Sequence, residues 1–113
     1  MPIKADWVEF KIGAIKALAL NESGVYEIGK KRGDVVLYIG KSDTSIRSRL
    51  LTHKDKVVFQ ECTHFRKRKT DPDAATEAEA KLIKAFRKSN NDKPPKLNTQ
   101  KPKTRDDFWR GYY

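Results

Sequence analysis

The spacing of hydrophobic positions changes several times along this chain, and each change marks a structural element. Between residues 7 and 20, Trp7, Val8, Phe10, Ile12, Ile15, Leu18 and Leu20 fit a short extended lead and then an amphipathic helix from about Gly13. Asn21-Glu22-Ser23-Gly24 supplies the turn chemistry that ends it. Residues 25–29 and 34–40 are rich in β-branched and aromatic side chains and read as a hairpin. A three-residue loop, Lys31-Arg32-Gly33, with Gly33 left-handed, would set Tyr26 directly across from Tyr38 and Ile28 across from Val36. A slip of one residue would send the two phenols to opposite faces. Ser42, Asp43 and Thr44 are all good caps for a helix over residues 45–54. Residues 57–65 alternate as a third strand, and Arg66-Lys67-Arg68-Lys69 reads as a basic turn. Asp71-Pro72 then opens a helix that continues to about Lys88, where Asn90-Asn91-Asp92-Lys93-Pro94-Pro95 ends it.

These elements predict a small single α/β (α+β) domain over residues 1–113, with 1–22 as an N-terminal extension and 100–113 as a basic, aromatic tail. The 37% of apolar residues suffices for one modest core, and the 35% that are charged require a strongly ionic surface. The net charge of +10 is unevenly placed: residues 66–105 carry 13 Lys and Arg against 5 Asp and Glu. A localised positive field is the footprint of a polyanion binder. Cys62 is the lone cysteine, which excludes an internal disulfide and a zinc–thiolate cluster. It reads as a buried, reduced thiol; nearby His64 lacks the orientation of a catalytic base. There is no run of 18 apolar residues and no signal-peptide profile, so a soluble, intracellular, cytoplasmic protein (nucleoid-associated if bacterial or archaeal) without a membrane partner is expected.

Two glutamates on the last helix are told apart by their faces. Glu77 lies with Lys81, Lys84 and Lys88, where an ion pair on a wet surface explains it. Glu79 lies with Ala75, Leu82 and Phe86 on or beside the apolar stripe. An ionised carboxylate there needs a cation or strong donors, which either a metal ion or a structural salt bridge supplies. Arg49 and His53, four residues apart, share one face of the preceding helix beside Ile46 and Leu50. Facing tyrosines on a hairpin pack a core as readily as they serve chemistry. Gly40-Lys41-Ser42 before a helix offers backbone N–H groups to a phosphate, on the strength of one glycine. Taken singly, each feature has an ordinary structural explanation.

Taken in order, Gly24-Val25-Tyr26, Tyr38-Ile39-Gly40-Lys41, Arg49-Leu50-Leu51-Thr52-His53, Glu79-Ala80-Lys81-Leu82-Ile83-Lys84 and Pro95-Lys96-Leu97-Asn98 resemble the GIY-YIG nuclease superfamily across residues 23–99. Residues 24–50 look especially like the N-terminal nuclease domain of the bacterial excision-repair endonuclease. The resemblance implies a three-stranded antiparallel sheet flanked by helices, and hydrolysis of DNA phosphodiesters with one Mg²⁺ or Mn²⁺, in repair or restriction. It implies Tyr26 as the catalytic tyrosine and Tyr38 as the second, with Lys41 matching a lysine of the repair branch. Arg49 matches the phosphate-binding arginine, His53 a histidine of homing and restriction members, Glu79 the metal ligand, and Asn98 the asparagine near the domain's end. For Tyr26 to act as a base, Lys41, Arg49 and the metal must lower its pKa from about 10. Lys41, Arg47, Arg66, Lys67, Arg68 and Lys69 are expected to contact DNA, branched or damaged. Valine replaces isoleucine in the first signature, one extra residue separates Tyr38 from Arg49, and a long loop precedes Asn98. A catalytically silent nucleic-acid-binding module on the same fold is the alternative; monomer and homodimer both stay open. For the aromatic tail, packing on the core is the first expectation, with stacking on a base and dimerisation as alternatives.

Overall fold

A four-stranded antiparallel sheet grows outward from the central hairpin. The computed structural model describes residues 3–99; the aromatic tail lies outside them. The strands are β1 (Val8–Glu9), β2 (Gly24–Lys30), β3 (Val35–Ser42) and β4 (His64–Lys69), in the order β1-β4-β2-β3. Helices α1 (Ile12–Lys16) and α2 (Ile46–Lys54) send Ile15, Ile46 and Leu50 onto one face, against Tyr26, Ile28, Tyr38 and Phe65. Helix α3 (Pro72–Ser89) sends Ala78 and Leu82 onto the other, against Val25, Val36 and Ile39. The result is a small α+β domain with two apolar layers, one on each side of the sheet. Among the described residues no helix is long and apolar enough to cross a membrane.

Two expectations about strands need correction. The sheet has four strands, not three, because the extended lead before α1 pairs with β4. The strand expected over residues 57–65 instead begins at His64 and runs through the residues read as a basic turn; Val57–Phe59 is a 3₁₀ turn. The four consecutive cations conceal the strand, but the acidic partners of the first two lie far off in sequence. Arg66 pairs in register with Glu27 on β2, and its Nε donates to the Glu27 carboxylate at 2.7 Å. Lys67 forms an ion pair with Glu22. Opposite charges facing one another across neighbouring strands stabilise the pairing.

The hairpin register also differs. The loop has four residues because Asp34, like Gly33, adopts positive φ, at +52° and +79°. Tyr26 therefore pairs with Gly40 and Ile28 with Tyr38, and a bulge at Leu37 returns the pairing to Gly29–Val36. The shift is two residues through the signature region, so the side-chain parity survives: both phenols stay on the α2 face, as diagonal rather than direct neighbours.

Helix α2 starts one residue later than its candidate caps. Ser45 is the cap: its Oγ accepts the Ser48 N–H at 3.1 Å, while its hydroxyl donates to the Leu20 carbonyl at 2.6 Å. Helix α3 follows the sequence reading closely, with Asp71 at the cap and Pro72 in the first turn.

Candidate active site

Gly40 decides how closely the two tyrosines approach. A Cβ there would sit 2.6 Å from the Tyr26 hydroxyl and 2.8 Å from the Tyr38 ring, so only a hydrogen fits. The ring centroids are 6.2 Å apart. Gly24, at φ +153°, is equally constrained, since a Cβ would meet the Arg68 carbonyl oxygen at 2.2 Å. The glycines of both signatures thus have steric causes: one clears room for the phenols, the other lets β4 approach β2.

His53 completes the aromatic cluster from α2. Its Nε2 is 2.7 Å from the Tyr26 hydroxyl, and its ring packs 4.8 Å from Tyr38 and 4.6 Å from Phe59. Burial, aided by the positive charges of Arg49 and Lys56, pushes the His53 pKa down to about 3. Burial raises the Tyr26 phenol far above its usual value, with Tyr38 adding to the rise and Arg49 opposing it. Neutral imidazole beside protonated phenol assigns the bond: the Tyr26 O–H donates to Nε2, and Nδ1 carries the ring proton. Arg49 alone does not offset the desolvation of the phenolate.

The low His53 pKa has a stability consequence of definite sign. A group less basic folded than unfolded contributes stability above its unfolded pKa and loses it as pH falls toward the folded one. We expect the stability advantage of the parent over His53→Gln, measured by denaturant unfolding, to shrink between pH 6.5 and about 3. An advantage independent of pH would show that the imidazole is not held neutral.

Arg49 stands on α2 and Glu79 on α3, the helices that cover opposite faces of the sheet. Both act on the Tyr26 and Tyr38 phenols, and Arg49 acts on Glu79. Burial raises the Glu79 pKa, against the nearby cations Lys41 and Arg49. Lys41 makes its direct contact with Asp43 at 3.1 Å, leaving the Glu79 carboxylate acted on from a distance. Glu77 pairs with Lys81 on the exposed side at 3.0 Å, as its face predicts. An open groove of about 610 Å³ begins at Glu79 and follows α3 past Lys84, Arg87 and Lys88. The sequence reading gave Lys84 and Lys88 only to a wet surface.

Several expected site residues do other work. Asn98 accepts the Ile39 N–H and donates to the Ile39 carbonyl, both at 2.9 Å, so its amide holds β3 in place. Arg66 is buried between Glu27, Asp34 and the Trp7 ring, 4.1 Å from that ring's centroid. It is unavailable to DNA. Lys67 is held by Glu22, whereas Arg68 and Lys69 are exposed at the end of β4, and Arg47 is half-buried. The start of α2 is no phosphate cradle, because the Glu22 carbonyl and Ser45 Oγ already accept from the Ile46 and Ser48 amides. Cys62 is buried, and burial pushes its thiol up to about 11, which leaves it inert.

The sequence reading missed the buried Glu27–Arg66 pair. A lone carboxylate between Tyr26 and Ile28 in an otherwise apolar strand was its visible sign. It also missed Lys56.

A single half-buried carboxylate suits a cation that keeps most of its waters. Among the described residues no three His, Cys, Asp or Glu side chains gather into a ready-made cage. No protein-family model, curated protein or solved structure matches this chain.

Proposed function

We infer that this chain is a GIY-YIG-type endonuclease that hydrolyses DNA phosphodiesters with one divalent cation, Mg²⁺ or Mn²⁺. The observation that carries the reading is convergence. Two phenols from the hairpin and an imidazole from α2 pack together, and the Arg49 guanidinium of α2 and the Glu79 carboxylate of α3 act electrostatically on both phenols. A structural core has no need of that assortment, and desolvating it is costly.

Each group has a distinct role in the reaction. Arg49 binds the scissile phosphate and neutralises charge that grows in the transition state. Tyr26 accepts a proton from the attacking water while passing its own to His53 Nε2. In the free protein, burial and neighbouring cations disfavour the imidazolium. A phosphate dianion-like transition state at Arg49 adds negative charge nearby and reverses part of that bias. Tyr38 packs against the His53 ring and keeps it aligned. Glu79 would hold the divalent cation, which supplies polarisation of the phosphoryl oxygen and stabilises the leaving 3′ oxygen. Lys84, Arg87 and Lys88 line the way along which a strand continues beyond Glu79.

Supercoiled plasmid incubated with the parent and Mg²⁺ or Mn²⁺ should be nicked. Tyr26→Phe should nick it about 10²- to 10⁴-fold more slowly, the usual worth of general acid–base catalysis. Its fold should survive the loss of one hydrogen bond, as read by circular dichroism. A parent that binds plasmid but leaves it intact with either metal would instead identify a binding module.

A further inference from the structure

Lys56 follows α2 immediately, where its backbone N–H donates to the His53 carbonyl at 3.0 Å. Its ammonium nitrogen is buried and has no hydrogen-bond partner among the described residues. A shielded ammonium ordinarily finds a carboxylate. Lys56 faces a cation instead: burial and then the Arg49 charge disfavour its protonated form. Arg49 Nε and His53 Nδ1 are likewise buried without partners. Arg49, His53 and Lys56 are spaced four and three residues apart, which brings them to one side of the helix and its end. The two half-buried cations repel each other, and all three side chains leave a buried polar hydrogen unused. The fold is less stable for holding them there, and an anion both accepts from these donors and offsets the repulsion.

We propose that Lys56 is a second phosphate-binding residue of this site, sharing with Arg49 the oxyanion of one DNA phosphodiester. This rests on the nuclease reading for the identity of the ligand as DNA. The anion chemistry stands on the cluster itself. A phosphodiester carries one negative charge spread over two non-bridging oxygens, and two donors approaching from different sides match that distribution. Lys56 thereby orients the phosphate that Arg49 alone would hold as a hinge.

The test uses the whole chain and a duplex oligonucleotide in EDTA, so that binding is read without cleavage. Lys56→Met should bind about 10- to 100-fold more weakly, the loss expected for one charge-assisted hydrogen bond. Its log–log salt dependence should be shallower by about one ion. Lys56→Arg should restore both. Without DNA, Lys56→Met should melt at a higher temperature than the parent, because a buried unpaired cation has been removed. Inorganic phosphate should raise the melting temperature of the parent more than that of the variant. If methionine disturbs the fold, Lys56→Gln serves with the same expectations. Parent-like affinity and salt slope in a folded Lys56 variant overturn the proposal, whether or not plasmid is nicked. A parent that binds through Lys56 yet never nicks leaves the cradle standing and removes the nuclease reading. A parent that binds no DNA removes both.

Discussion

Glu79→Gln is expected to lose metal-dependent DNA cleavage by more than about 10³-fold, the several kcal/mol of transition-state stabilisation that a bound metal ion supplies. The same variant should unfold at a higher temperature than the parent at pH 7. The two effects share one cause. Glu79 is half-buried, and burial raises its pKa despite Lys41 and Arg49. A carboxyl whose pKa is higher folded than unfolded favours the folded state most when protonated, and that contribution fades as pH rises through the folded pKa. At pH 7 the ionised group therefore detracts from stability, and the neutral amide removes the deficit. At a pH below the unfolded value, near about 4, the melting temperatures of parent and variant should converge. Plasmid nicking and differential scanning calorimetry at both pH values check the pair of outcomes. Parent-like cleavage by Glu79→Gln would end the metal-ligand assignment, and lower stability at pH 7 would show that the carboxylate is a structural partner.

The second large effect concerns the fold. Arg66→Met should destabilise the domain by about 3–5 kcal/mol, because it strands the Glu27 carboxylate in the interior. Glu27 is 2% exposed and Arg66 6% exposed. Glu27 Oε1 takes the Arg66 Nε–H and the Ile3 N–H, at 2.7 and 3.2 Å. The Arg66 guanidinium also donates to Asp34 and lies over Trp7. Removing the guanidinium thus loosens the N-terminal segment and the hairpin loop together. For a domain of this size the loss corresponds to more than about 10 °C in Tm. Glu27→Leu combined with Arg66→Met removes both charges and should recover most of the stability, since well-packed apolar replacements of buried pairs are often neutral or better. A single Arg66→Met that melts like the parent would show that the carboxylate finds water or another cation.

How much of this was written locally in the chain differs from element to element. Helix α3 was legible because its cap, its proline and its apolar stripe are all local, and the same stripe set Glu79 apart from Glu77. The Tyr26–Tyr38 pairing was legible in parity but not in register. Asp34 adopts a left-handed backbone while its carboxylate accepts from Trp7 Nε1 at 2.8 Å and from Arg66, contacts made across the fold. Strand β4 was hidden because four consecutive cations satisfy no apolar alternation, and the acidic partners that admit Arg66 and Lys67 lie about 40 residues earlier. Asn98 was found by its place in the series of motifs, but its clamp on Ile39 depends on a contact 59 residues distant. Lys56 carries no pattern at all; its interest arises only when the fold strips it of water beside Arg49.

The clamp at Ile39 has a further effect. Strand β3 is the outer margin of the sheet, pairing with β2 alone. Margins with vacant amides invite strands from other molecules and begin aggregation. At Ile39 both outward groups are already occupied by the Asn98 amide, and the turn Lys96–Thr99 stands in the way. At the opposite margin, β1 offers only Val8 and Glu9. The domain can therefore carry an antiparallel sheet while offering a foreign strand little room to dock on either side.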